Sequence, residues 1–497
     1  MRNHLLAALL APSAAAAAGL LTGPLLCSPS GPAYAVALDG APLLSGSAPL
    51  WLRVDGGFQT AWALAEARNV SGADPLGAYT GVACAYAPDA ASPALLTVEI
   101  LQYAAAAAWR SASAVRFRYT LPRGAARTNF SAGGGKPGDH HATISNFPAF
   151  SAAPLLPNTL TWQDSFFPAQ RNAVAYGMAG GPLLSYGADV AGAATMFSPL
   201  DNFLTSSLGD FAGPGAGAFC DGSAAGCWAA GTASSVAELP PGFSHSWLLL
   251  AEEGITNTAM AWGAVMRALY GATSTNLDDL SISGLGYQSD NGAQLCFGCP
   301  GQVLDKCFLE EKAVLDAQRV PVQYLSFQGG WWKSGGESAP WCVGEWEAVP
   351  SKVPMGMAAF QAALGLPLQL YAPYFCATTS YTQNFSMIRS DTTLPGCSNF
   401  DFYDASPESS RDFYDFLFDL GATYGMTMFE PDFLNQNHNC QPRFISEVGA
   451  AEAFFGGQAA AALARGIPIQ WCFCTPYLLM WTLNSPAITN FRVSYGS

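Results

Sequence analysis

The sequence predicts a chain of two parts, an N-terminal antiparallel β-sandwich followed by an incomplete (β/α)8 barrel. Three observations carry this prediction. At 497 residues the chain exceeds what one small core can organise. From 36 to about 255, short apolar and β-branched runs are broken by Gly, Pro, Ser and Asp, with almost no helical period. Beyond that point helix-like and strand-like stretches alternate, which is the pattern of a parallel sheet.

Residues 1–35 read as a signal peptide. Arg2 and His4 precede "LLAALLAPSAAAAAGLLTGPLL", and "AYA" at Ala33 to Ala35 offers a small-x-small cleavage site. An uncleaved anchor is the rival reading, against which Pro12 and the "AYA" site weigh. No later apolar run reaches about 18 residues, so no integral membrane domain is expected beyond this segment. Residues 36–255 form the predicted sandwich, with "LLTVEIL", "AVRFRYTL" and "HSWLLLAEE" as strands and "GGGKPGDHH" and "GPGAGAFCDG" as turns. Residues 256–280 are a linker region, where "TNTAMAWGAVMRALYG" has helical spacing and a terminal Gly.

Residues 281–497 are the predicted barrel. Helices are expected at "KCFLEEKAVLDAQR", "MGMAAFQAALG", "SSRDFYDFLFDLGATYG" and "AEAFFGGQAAAALARG". In the third of these, Phe413, Phe416, Leu417 and Leu420 mark the apolar face. Strands are expected at "GAQLCFG", "PVQYLSFQGGWW", "LPLQLYAPYF", "MTMFEPDF" and "IPIQWCFCTP". That is about five strands, so the last part of an eight-stranded barrel is expected to be missing.

Bulk properties exclude several functions. A formal net charge of -15 with no basic stripe excludes a nucleic-acid partner. Of 13 cysteines, Cys27 falls in the leader. The remainder (Cys84, Cys220, Cys227, Cys296, Cys299, Cys307, Cys342, Cys376, Cys397, Cys440, Cys472, Cys474) is even in number and suits several disulfides in an exported chain. Sequons at Asn69, Asn129 and Asn384 agree with a secretory route. "CFGC" at 296–299 has neither a second Cys-x-x-Cys nor a His at ligand spacing, so no metal is expected. No phosphate-cradling loop or dinucleotide fingerprint is present, and no cofactor is expected. A Ser-His-Asp site lacks its Gly-x-Ser-x-Gly elbow, while "DHH" at 139–141 and His438 read as loop polarity.

Carboxylate chemistry remains, and barrel sites lie where strands end. The rule selects Asp290 in "SDNG", Gln328 to Trp332 in "FQGGWW", Tyr374 in "YAPYF", Glu430 and Asp432 in "FEPDF", and Thr475 to Tyr477 in "CTPY". Trp331, Trp332, Trp341 and Trp346 suit a carbohydrate ligand, whose C–H faces stack on aromatic rings; Trp is also good core material.

In order along the chain, "LGYQSDNGAQL", "YLSFQGGWW", "PMGMAAFQAALGLPLQLYAPYF", "FEPDFLNQN" and "NSPAITNFRVS" resemble α-galactosidase-like proteins. These are relatives of glycoside hydrolase families 36 and 27 and of raffinose synthases, and the likeness covers roughly residues 240 to 497. The resemblance implies a sandwich before a (β/α)8 barrel and a secreted retaining α-glycosidase acting on oligosaccharides or glycans. Asp432 matches the nucleophile of the family's Lys-x-Asp, with Glu430 standing where the Lys is usual. Asp290, Trp331, Trp332, Trp346, Glu430 and Arg492 are then the substrate-binding candidates. Glu430 either binds sugar hydroxyls or raises the Asp432 pKa by repulsion. The family's acid/base Asp follows Arg-x-Ser; Arg492 and Ser494 match, and the chain stops at Ser497 without the Asp, so truncation is expected. A non-catalytic carbohydrate-binding homologue and a transglycosylase are the alternatives.

Overall fold

The computed structural model describes residues 20–22, 26–46, 49–103, 113–130, 142–151, 156–162, 169–171, 181–210, 227–273, 276, 278–289, 301–335 and 342–492. Asp290, Trp341 and Ser494, with "GAQLCFG", "CFGC" and "DHH", lie outside these residues.

A nine-stranded antiparallel sheet dominates the N-terminal half. Strand Ser113–Leu121 shows why these residues pair: Val115, Phe117, Tyr119 and Leu121 alternate into one core, while Arg116 and Arg118 take the other face and pair with Asp74 and Glu99. Its neighbour Phe243–Glu253 reads as a continuous apolar run because it is covered on both faces. Trp247 and Leu249 join the core between this sheet and the N-terminal strands. Leu248 and Leu250 join a second core, shared with the helix Ile255–Tyr270 and the C-terminal half. That helix occupies the stretch with helical spacing and stops at Gly271, whose left-handed φ of 63° suits glycine.

The residues around "AYA" are strands of a packed sheet. Gly31–Leu38 pairs with Leu20–Thr22, Leu26–Ser28 and Ala41–Gly46. Tyr34 is buried and its hydroxyl donates to the Ala149 carbonyl at 2.7 Å. Cys27, assigned to a leader from sequence, is bonded to Cys84 across 57 residues. Closing a loop of that size stabilises the fold by about 4 kcal/mol in the chain-entropy account. Asn69, Asn129 and Asn384 are all exposed. Among the described residues no helix is long and apolar enough to cross a membrane.

The C-terminal half holds six parallel strands hydrogen-bonded in chain order. They are β1 (Gly286–Gln288), β2 (Tyr324–Phe327), β3 (Leu368–Ala372), β4 (Met426–Pro431), β5 (Ile469–Trp471) and β6 (Ile488–Phe491). Helices Leu304–Ala317, Met357–Leu364, Ser410–Thr423 and Ala450–Arg465 connect successive strands from β1 to β5. Leu325, Phe327, Leu368, Leu370, Phe429, Ile469 and Trp471 belong to the core these helices share. In helix Ser410–Thr423 the buried face is Phe413, Tyr414, Leu417, Phe418 and Gly421, and Phe416 is 40% exposed. The apolar stripe expected through Phe416 is therefore rotated by one position. The cause is Phe418, whose ring packs 5.1 Å from Phe429 of β4.

A second, five-stranded sheet (Trp332–Ser334, Val343–Ala348, Phe375–Cys376, Phe402–Ala405, Met387–Arg389) is built from the connections after β2 and β3. Disulfides Cys342–Cys376 and Cys397–Cys440 clamp it, the latter to the segment that follows β4.

Candidate active site

Alternate residues of the parallel strands are polar and meet one another. Register places Ser326 beside Gln369, Tyr371 beside Glu430, and Gln470 beside Asn490. Gln369 Nε2 donates to Gln470 Oε1 at 3.2 Å, and Gln470 Nε2 to Asn490 Oδ1 at 2.6 Å. One face of the sheet is thus a polar lining and the other the apolar seat of the helices, as period-two alternation requires.

Glu430 and Asp432 share that lining but not an environment. Glu430 is fully inaccessible. Gln328 Nε2 donates to its Oε2 at 2.5 Å, Ser326 Oγ donates to the same atom at 3.4 Å, and Arg492 Nη1 lies 3.4 Å from Oε1. Its carboxylate ties three strands together beneath the surface. Arg492 is engaged in the same ion pair, with 13% of its side chain accessible.

Asp432 follows β4 directly and is 5% exposed. Tyr371 OH donates to its Oδ2 at 2.6 Å, and the Phe433 backbone N–H donates to its Oδ1 at 2.7 Å. The Cys472 thiol also hydrogen-bonds to it. Burial raises the Asp432 carboxyl above the usual carboxylate range, against the pull of Tyr371, Cys472, Phe433 N–H and the Arg492 charge. Burial, rather than repulsion from Glu430, leads that shift. The Tyr371 hydroxyl and the Cys472 thiol are held neutral, both pushed up first by burial and then by the Asp432 charge. The arrangement is a carboxylate surrounded by neutral donors and one guanidinium, suited to attack at an electrophilic carbon.

The tryptophans behave differently from the expectation. Trp331 and Trp346 are 0% exposed, 5.2 Å apart, and packed on Phe327 and Phe429 respectively. They are core, because the "GGWW" turn folds its first ring back under β2. Trp332 is 4% exposed, donates to the Cys342 carbonyl at 3.1 Å and stacks on Tyr371 at 5.9 Å. Trp346 Nε1 donates to the Tyr371 carbonyl at 3.0 Å. These rings position Tyr371. Sequence reasoning missed Tyr371, Cys472 and the Gln328 contact, although the alternation in "LQLYA" and "IQWCFC" marked the first two as lining residues.

No protein-family model and no curated protein matches the sequence. Solved structures do. The galactosidase domain of an α-galactosidase–sucrose kinase, AgaSK, superposes with a TM-score of 0.55 at 10% identity, over 88% of this chain and 62% of that one. A variant of a glycoside hydrolase family 97 enzyme from Pseudoalteromonas sp. strain K8 gives 0.53 at 10% identity, over 91% and 64%. The α-N-acetylgalactosaminidase NagBb from Bifidobacterium bifidum, in its GalNAc complex, gives 0.51 at 10% identity, over 92% and 76%. The fold is that of these glycoside hydrolases. The chain spans less than two thirds of the length of the first two.

The segment after Asp432 is anchored by a third buried carboxyl. Asp404 accepts from Asn437 Nδ2 and from Gln441 Nε2, each at 2.8 Å, and burial pushes it up to about 8. A folded pKa raised above the unfolded value contributes stability that is complete below about pH 4 and is lost as pH rises toward 8. Asp404→Asn is expected to remove that loss, on the order of 1.4 kcal/mol per pH unit. Thermal melts from pH 4 to 9 check it: the variant should overtake wild type above neutrality, and parallel curves would exclude the buried neutral acid.

Proposed function

We propose that the chain is a retaining α-glycosidase acting on α-linked oligosaccharides or glycans, on a β-sandwich followed by a (β/α)8-type barrel, with Asp432 as its nucleophile. The observation that carries this reading is Asp432: a buried carboxylate at the end of a parallel strand, met by Tyr371, Cys472 and a backbone N–H, on a fold shared with α-glycosidases. Asp432 attacks the anomeric carbon and forms a glycosyl-enzyme ester. A second carboxyl protonates the departing oxygen and later activates the water that releases the sugar. Glu430 does not suit that second role, since both its oxygens are committed within the wall. In the family that the sequence resembles, the acid/base Asp follows Arg-x-Ser, the pattern that Arg492 and Ser494 match. The disulfides support export through an oxidising compartment.

The test is an NMR time course on aryl α-glycosides with full-length protein. The first product should be the α-anomer of the free sugar. Formation of the β-anomer would exclude the double displacement, and sugar binding without turnover would favour a non-catalytic carbohydrate-binding homologue. Transfer to an added acceptor sugar in preference to water would mark a transglycosylase.

A further inference from the structure

Two phenylalanines beside the proposed nucleophile sit in a backbone conformation that bulky residues avoid. Phe433, immediately after Asp432, has φ 59°, and Phe473, immediately after Cys472, has φ 51°. Holding a non-glycine residue there costs roughly 1–3 kcal/mol, and such strain gathers at functional sites. Here it brings two rings from neighbouring strand ends face to face, 5.0 Å apart and 6° from parallel. The Asn435 N–H donates to the Phe473 carbonyl at 3.1 Å and ties the two turns together. Tyr374 meets the Phe433 ring edge-on at 5.3 Å.

The cluster is not core. Trp331 and Trp346 are sealed at 0% exposure, whereas Phe433, Phe473 and Tyr374 all stay half-buried. Polar atoms border it. Thr475 Oγ1, two residues after Phe473, and Asn435 Oδ1, two residues after Phe433, are both buried, and neither has a hydrogen-bond partner among the described residues. Thr475 is only 4% exposed. Flat apolar rings flanked by unpartnered hydroxyl and amide oxygens match one chemical class, a pyranose ring with a C–H face and equatorial hydroxyls.

We propose that Phe433 and Phe473 form the platform for the pyranose ring on the leaving-group side of Asp432, with Thr475 and Asn435 taking its hydroxyls. This rests on the glycosidase reading and adds to it a preference for sugar over small leaving groups. The strain is the means by which the chain keeps both rings beside the reacting carboxylate rather than in the core.

The test compares raffinose, whose leaving group is a sugar, with α-galactosyl fluoride, whose leaving group is one atom. In Phe433→Leu and Phe473→Leu, kcat/KM for raffinose should fall about tenfold or more while the fluoride value stays within about twofold. Phe473→Tyr keeps the ring and should restore the raffinose value, which loss of folding would not allow. Unchanged raffinose turnover, or equal loss on both substrates, would overturn the platform. If wild type cleaves neither compound, galactosides are not its substrates and calorimetry with raffinose decides the platform. Binding at least tenfold weaker in Phe473→Leu supports it; equal binding, or none by wild type, overturns it.

Discussion

Asp432→Asn is expected to lower turnover of an aryl α-glycoside by about a thousandfold or more while leaving sugar binding within a few-fold of wild type. The substitution is nearly isosteric, so the new amide keeps an oxygen for the Phe433 N–H and retains the turn that begins there. What it removes is the electron pair that attacks the anomeric carbon. Asp432→Gly separates nucleophile loss from general damage. With azide added, it should regain turnover and release a β-glycosyl azide, because the anion enters from the face the carboxylate occupied. Full activity in Asp432→Asn would end the assignment. The pH profile carries a further sign. Asp432 must be ionised to attack and burial raises its pKa, so the acidic limb of kcat/KM should lie above the ordinary carboxylate value near 4. Tyr371→Phe removes a hydrogen bond that favours the ionised form and should move that limb higher still.

How much of this was legible in the sequence depends on the range of the interactions. Helix and strand periods are local, and the alternation in "YLSF", "LQLYA" and "MTMFEP" marks strands that do run in parallel. The place of Asp432 at a strand end was legible because the apolar run before it has the period of a strand. The tryptophans misled because composition does not say which way a ring turns; the fold back after Gly330, φ 90°, buries Trp331 against Phe327. The role of Glu430 was hidden because its partners come from 102 and 62 residues away and meet only through strand register. The left-handed turns at Phe433 and Phe473 were invisible for a related reason. Phenylalanine carries no propensity for that conformation, and tertiary packing imposes it.

Removing Glu430 should therefore damage folding more than chemistry. In Glu430→Leu the Arg492 guanidinium stays in the wall without its carboxylate, and Gln328 loses its acceptor. Breaking one side of a buried ion pair costs about 3–5 kcal/mol, and that loss is the expected result in chemical denaturation. Glu430→Gln should cost less, about 1–2 kcal/mol, because its amide keeps an oxygen to accept from Arg492 and Gln328 can turn its own amide to meet the new N–H. Gln328 Oε1 has no partner among the described residues and would accept from the new amide and from Ser326 Oγ. Adding Arg492→Met to Glu430→Leu removes the stranded cation and should recover most of the stability, as apolar replacement of buried pairs does. The Gln variant also carries a functional signature. With Glu430 neutral, the Arg492 charge that lowers the Asp432 pKa is no longer offset by a carboxylate beside it, so the acidic limb should shift to lower pH. A Leu variant as stable as wild type would show that the carboxylate holds nothing together. A Gln variant whose limb moves upward would place Glu430 among the groups that help Asp432 to ionise, the opposite of its proposed part as the anchor of Arg492.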